Sequence, residues 1–407
     1  MNRDRKTDRP SAPFRSAISQ GRAASIPAVL VLAVLPASST ALTPDEWAKK
    51  AAIPDSIAPI KAPFEMPQLQ RPQFPKRTFS IADFGAVADG ETKNTGSIAD
   101  AIAACAKAGG GRVLVPPGRW LTGPIQLKSN VNLHLAAGST LLFSQDFNDY
   151  LPVVFVRWAG HECYNFSPFI YARDCENIAV TGPGTLDGKG EPWWEWIPDK
   201  EKAAIKKIYN AEENGIPVKD RIFGVPGAGL RPEFVSPINC RNVLFEGFTL
   251  VDGPFWSVNP VYCENVIARD LKIITRHPNG DGVNANSCRN MLVEHCYFHT
   301  DDDAVAIKAG MNADGRRVNK PCENIVVRHI YSKGPRWGSI SIGSDISGGV
   351  RNVLVRDVHF DGTLLGFQIK SAPRRGGYVE NEQRFQHLHP DAGSPGIRLA
   401  RVSNAWR

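Results

Sequence analysis

The chain has 407 residues, 42% of them apolar and 22% charged, a balance that excludes a disordered chain. That length suits a single solenoid as well as two average domains. The formal net charge is +7, but residues 1–41 carry six basic and two acidic residues; without them it is +3, too weak a field to imply a nucleic-acid partner.

Residues 1–41 read as a signal peptide, with a basic start, an apolar stretch from Ile26 to Leu35, and small residues at Ser39 and Ala41. The apolar stretch contains Pro27 and is too short to span a membrane, so the mature chain is expected to be exported, periplasmic or extracellular, with no membrane partner. Residues 42–75 are proline-rich and read as a lead-in that wraps the outside of the main domain. A short helix is expected after Asn94 or Thr95, one of which caps it, with Ile98, Ala101, Ile102 and Cys105 on one face and three glycines at 109–111 ending it.

Residues 76–381 repeat one strand phrase, Cys/Arg-x-Asn-Val/Ile-x-Val/Leu. Its asparagines are Asn130, Asn177, Asn242, Asn265, Asn290, Asn324 and Asn352, at gaps of 47, 65, 23, 25, 34 and 28 residues. A period in the twenties with one β phrase per unit predicts an all-β chain, a single-stranded parallel β-helix. The long gaps hold two coils or one coil plus inserted loops. This short helix is placed to cap the open N-terminal coil, whose edge would otherwise recruit other strands. Cys175, Cys240, Cys263, Cys288 and Cys322 share one phrase position, so an interior ladder of unpaired thiols is expected, although disulfides remain open. Residues 197–229 interrupt the repeat with a charged, partly helical insertion of the kind that walls a groove. Trp193, Trp194 and Trp196 precede it, either to stack on a sugar or to form an apolar patch beneath it. Residues 382–407 hold neither a clear repeat phrase nor a capping helix, and read as an irregular tail, either truncated or frame-shifted or a genuine short tail folding back over the last coil.

Asp281 lies 21 residues before Asp302, about one coil, so Asp281, Asp302 and Asp303 are expected to share one patch. Carboxylates that close raise at least one pKa, which suits an acid and a base side by side. A Ca²⁺ site or a solvated turn is the alternative reading of the same cluster.

The order of DFGAVADG, LTGPIQLKSNVNLHL, GPGTLDGKG, NGDGVNANSC, DDDAVAIKAG and IKSAPRRGGYVEN resembles the family 28 glycoside hydrolases, the polygalacturonase-like pectin enzymes, from about Phe79 to Asn381. The resemblance implies a right-handed β-helix and inverting hydrolysis of α-linked galacturonic acid polymers, exo-acting by the likeness of its opening sequence, without metal or cofactor. The partner it implies is a pectic polysaccharide or oligogalacturonide, met by a monomer. Asn279-Gly280-Asp281 matches the family's Asn-Thr-Asp motif, and Asp301-Asp302-Asp303 its Gly-Asp-Asp motif. Asp302 then resembles the general acid, and Asp281 and Asp303 the pair that activates water. Asn279, Lys370, Gln368 and Trp337 are the expected substrate contacts. Trp337 falls where the family has a histidine, and Gln368 where it has an arginine that grips a substrate carboxylate. Those departures predict weak action on de-esterified polygalacturonate, improved by Gln368→Arg, unless Arg336 or Arg374 replaces the lost cation. They also keep open a rhamnogalacturonan-type hydrolase, a β-helix lyase and an inactive glycan-binding relative.

Overall fold

A computed structural model describes residues 53–225, 228–334 and 338–380, and the backbone alone of 385–390. The expected signal peptide and the end of the tail lie outside the described residues.

The chain is a right-handed parallel β-helix, and each repeat phrase turns one corner of it. All seven phrase asparagines sit in the left-handed region, with φ between 53° and 63°. That conformation costs a side chain about 1–2 kcal/mol, and asparagine tolerates it because its amide bonds locally. Here the amides bond each other. Each Nδ2 donates to the Oδ1 of the asparagine one coil before, at 2.8–3.2 Å, from Asn177→Asn130 through to Asn352→Asn324. The turn fixes the register of the next strands, so Ile178, Val243, Val266, Met291, Ile325 and Val353 stack as one interior column. Two residues before each asparagine, Cys240, Cys263, Cys288 and Cys322 are buried and Cys175 is half-buried; all eight cysteines carry free thiols, as the ladder reading expected.

The lead-in covers the outside of these strands. Ile57, Ile60, Phe64, Met66, Leu69 and Phe74 pack on the outward column Ala179, Leu244, Ile267, Leu292, Val326 and Leu354. Beside them Glu246, Arg269, Glu294 and Arg328 alternate in charge, and Arg71 closes the row on Glu246 at 2.6 Å. The helix Thr95–Lys107 buries the four residues expected of it against the first coils. Asn94 stands at its N-cap without capping it: its amide bonds Val87, Thr92 and Leu121 instead, tying the preceding turn. The tail also departs from expectation. The strand Phe385–Pro390 continues the stack, pairing in parallel with residues 355–360 where no repeat phrase announces it.

The insertion is helical, as read, with a π-helical turn Ile197–Glu201 and a helix Lys202–Glu213. It packs on an antiparallel hairpin, Val154–Trp158 with His161–Asn165, that the repeat phrases do not announce. Trp193 and Trp196 are buried among Phe147, Phe166 and Phe169, which resolves them as the apolar patch. Trp194 instead stacks on His277 at 4.8 Å, four residues before Asp281.

Candidate active site

The site lies on the short sheet formed by Val283–Asn286, Val305–Lys308, Gly338–Gly343 and Leu365–Lys370. Val283 pairs with Val305, and each lies two residues after an aspartate. Asp281 therefore stacks on Asp303, roughly one strand spacing of 4.8 Å away. The expectation had set Asp281 opposite Asp302; the coil holds 22 residues rather than 21, and a one-residue slip turns a side chain to the other face. Asp302 stands beside the stack, its Oδ1 accepting the Asp303 backbone N–H at 2.9 Å and its carbonyl held by Thr300 at 2.7 Å. Glycine at 280 also has a reason. A Cβ there would come within 2.5 Å of Thr275 Oγ1, whose hydroxyl already bonds the Gly280 carbonyl at 2.6 Å.

The three carboxyls have different surroundings. Asp303 is buried and accepts from Ser341 Oγ at 2.6 Å and Lys370 Nζ at 2.7 Å, with the Gln368 amide at 3.4 Å. Among the described residues, the ion pair of Asp281 is with Lys308, whose ammonium lies 3.5 Å from Oδ2. Burial drives the Asp281 carboxyl well above the usual carboxylate range; Asp302 and Asp303 add to the rise, and Lys308 opposes it. Burial raises Asp302 as well, followed by the charge of Asp303, with Lys370 and Lys308 opposing. Burial works against the Lys370 charge, yet Asp303 and Asp302 hold its pKa above the ordinary lysine value. Lys308 rests on the Trp256 ring, 4.3 Å from its centroid, and reaches Asp345 at 4.0 Å. Ammonium groups thus stand beside both stacked carboxylates, where a bound cation would compete with them. Among the described residues, no group of three or more histidine, cysteine or acidic side chains is arranged to hold a metal ion.

The other expected contacts fare unequally. Asn279 is half-buried at the edge of the cluster, in a left-handed turn with φ 61°. Lys370 joins the cluster. Gln368 does too, but as part of its wall: it is 2% exposed, and its amide donates to Ser341 Oγ at 2.9 Å as well as to Asp303. Trp337 and Arg336 lie outside the described residues. Arg374 is not a replacement cation at the carboxylates, for it is exposed and paired with Glu213 of the insertion at 3.0 Å.

Beside the carboxylates the sheet is roofed, from Phe255 on the coil before to Asn286 on the strand that follows Asp281. Asn259, Asn284 and Asn286 are fully buried, and Arg157 of the hairpin reaches Asn286 and Ser287 at 3.0 and 2.7 Å. Trp158 of the hairpin stacks on Phe255, and Phe255 on Trp256 beside Lys308. A buried ion pair and an exposed arginine bolt the roof down. Asp314 pairs with Arg221 of the insertion at 2.9 Å, and Arg317 bridges Asp314 and Glu162 of the hairpin. The hairpin was missed from sequence, although the 47-residue gap between Asn130 and Asn177 left room for an inserted loop.

Comparison with known proteins agrees with this geometry. Residues 227–388 match the model of the glycosyl hydrolases family 28. The crystal structure of a hyperthermoactive exopolygalacturonase from Thermotoga maritima is 42% identical, superposes with a TM-score of 0.74, and the match covers 78% of this chain and 77% of that one. A family 28 exopolygalacturonase from Yersinia enterocolitica shares the fold at 23% identity and a TM-score of 0.64, covering 79% of this chain and 64% of that one. A "Probable polygalacturonase" from Vitis vinifera is 31% identical over 74% of this chain and 58% of its own length, and an exo-poly-alpha-D-galacturonosidase from Dickeya chrysanthemi 27% identical over 74% and 53%. This chain thus spans little more than half the length of the curated relatives it matches. With the β-helix, the stacked aspartates and a 42% identical relative matched over most of both chains, the protein belongs to the glycosyl hydrolases family 28.

Proposed function

We propose that the chain hydrolyses α-galacturonosyl linkages of pectin with inversion, working from chain ends as an exported monomer. The observation that carries this reading is the carboxylate stack itself, Asp281 on Asp303 with Asp302 alongside, beside a roofed part of the sheet. Asp302 is the general acid, since burial and the Asp303 charge favour its protonated form. Asp303, held by a hydroxyl and an ammonium, takes the proton of the attacking water, with Asp281 flanking that water. Lys308 and Lys370 offset the charge that gathers as the proton moves. Three carboxyls in unlike surroundings let one remain protonated while another accepts. The roof supports exo action, since Arg157 and Trp158 of the hairpin cover part of the sheet that carries Asp281. The names of the Thermotoga maritima and Dickeya chrysanthemi relatives point the same way.

The test is release of reducing sugar from a panel of polygalacturonate, methyl-esterified pectin and rhamnogalacturonan, with Asp302→Asn as control. Turnover in the variant is expected to fall by ~10²-fold or more with the fold intact. Near-normal turnover would overturn the acid assignment. An unsaturated product would indicate a lyase, and a rapid fall in viscosity at low bond cleavage would contradict action from chain ends.

A further inference from the structure

The insertion reaches the catalytic loop through one buried side chain. Arg231 is 0% exposed, and its guanidinium is committed almost entirely to neighbours. Nε donates to both oxygens of Glu201, at 2.9 and 2.8 Å. Nη1 donates to the carbonyls of Pro254 and Pro278, at 3.1 and 3.0 Å, and Nη2 to Asn279 Oδ1 at 2.8 Å. Phe255 lies flat beneath it, 4.9 Å away. The sheet register explains the reach. Val235 pairs with Val258 and Val258 with Val283, and Arg231, Pro254 and Asn279 each lie four residues before one of those valines. The arginine therefore spans two coils along the column that ends at Asn279. Glu201, 2% exposed, comes from the π-helical turn of the insertion and supplies its counter-charge.

We propose that Arg231, locked by Glu201, is a positioning residue: it sets the 277–281 loop and turns Asn279 so that its amide N–H faces the substrate. An amide whose oxygen is taken by a guanidinium offers only its NH₂ to a ligand. Donating to a sugar hydroxyl or carboxylate is the role this leaves to Asn279. The loop is also tied to flanking coils, with Arg276 paired to Asp252 at 2.8 Å and the Asp281 carbonyl accepting from Ser257 N–H at 2.9 Å. Thr275 bonds the Gly280 carbonyl, Trp194 of the insertion's first turn lies on His277, and Gly280 N–H bonds the His277 carbonyl at 3.1 Å. Two of the loop's contacts, Arg231–Glu201 and Trp194–His277, thus depend on residues 191–201. The insertion acts as a brace for the site as well as a roof over it. This inference rests on the hydrolase reading for the part played by Asn279, and on the structure alone for the loop.

Removing one partner of a buried ion pair strands the other, so the pair is replaced together, in the full-length chain, as Glu201→Leu with Arg231→Met. Melting close to that of the wild type is expected. Amide hydrogen exchange over 276–284 is expected to quicken ~10-fold or more, with no change over 322–333. On trigalacturonate kcat is expected to fall ~10-fold or more, with KM moving less than about 3-fold, the pattern of an interaction used mainly in the transition state. Asn279→Ala is expected to lose a similar factor, and the triple variant to be no slower than Asn279→Ala alone, because Arg231 acts through that amide. Unchanged exchange over 276–284 overturns the brace. Losses that multiply in the triple variant overturn the route through Asn279. If the wild type cleaves no galacturonide, the hydrolase reading fails, and hydrogen exchange still decides whether Arg231 holds the loop.

Discussion

On one corner of the coils Asn265, Asn290 and Asn324 repeat the same residue, the same φ and the same hydrogen bond. On another, Glu233, Trp256, Asp281 and Asp303 occupy equivalent positions, each two residues before a paired valine, and no two neighbours but the last pair share a residue type. The asparagine corner makes every coil support the next. The carboxylate corner gives up that mutual support: it stacks like charges, buries acids and relies on lysines, a serine and a glutamine to hold them. A solenoid tolerates this because stability is roughly a sum over neighbouring coils, so one irregular corner is carried by the regular ones. Local rules break where function is built.

Gln368→Arg tests the carboxylate corner most severely. From sequence alone this change restores the family arginine and should improve activity on the acidic polymer. In the structure Gln368 Nε2 packs so closely against Gly338 that even a Cβ on that glycine would collide with it. A longer cation there also meets Lys370 two residues on. Activity on polygalacturonate is expected to fall, by ~10²-fold, the scale of a displaced catalytic group. A gain, measured as kcat/KM, would restore the sequence-based expectation.

Asn290→Ala tests the regular corner. It removes two ladder hydrogen bonds, at about 1 kcal/mol each, and leaves alanine in a left-handed turn at a further 1 kcal/mol or so, about 3 kcal/mol in total. Asn290→Gly should lose only the hydrogen bonds, about 2 kcal/mol. Denaturant melts read both, and equal losses would show that the backbone conformation contributes nothing. The kcat of either variant, while folded, should stay within about 2-fold of the wild type, since the ladder touches no acid.

A pH-dependent effect is expected at Glu233. Both its oxygens are buried without a hydrogen-bond partner, and burial pushes its carboxyl up to about 8. A raised folded-state pKa means that the folded chain holds a proton that the unfolded chain has released. The associated stability is whole below the ordinary value of 4.5 and is lost as pH rises through about 8. Glu233→Gln should flatten the fall in melting temperature between about pH 5 and 9. An unchanged slope would place the titration elsewhere.

The regular corner was legible in the sequence because each phrase announces it with an asparagine, and five of the seven also with a cysteine two residues before it. The three aspartates were legible as residues but not as a stack, since a coil of 22 residues cannot be told from one of 21 without the pairing of Val283 with Val305. The hairpin 154–165 and the Arg231–Glu201 brace left no periodic trace. Their partners lie 30 to about 150 residues apart and meet only once the coils are wound. Gln368 needed the structure for a different reason. A motif gives the residue type at a position, whereas its burial beneath Gly338 is a property of the neighbouring coil.

The asparagine column also has a direction. Every amide donates toward the preceding coil and none toward the following one, so the column is a row of dipoles aligned in one sense. A coil already in place presents a carbonyl oxygen, and the next coil along the chain carries the matching N–H. A chain whose coils dock in the order of synthesis would meet this column as a template. The helix-capped first coil would be its starting surface, and each turn that docked would expose the acceptor for its successor.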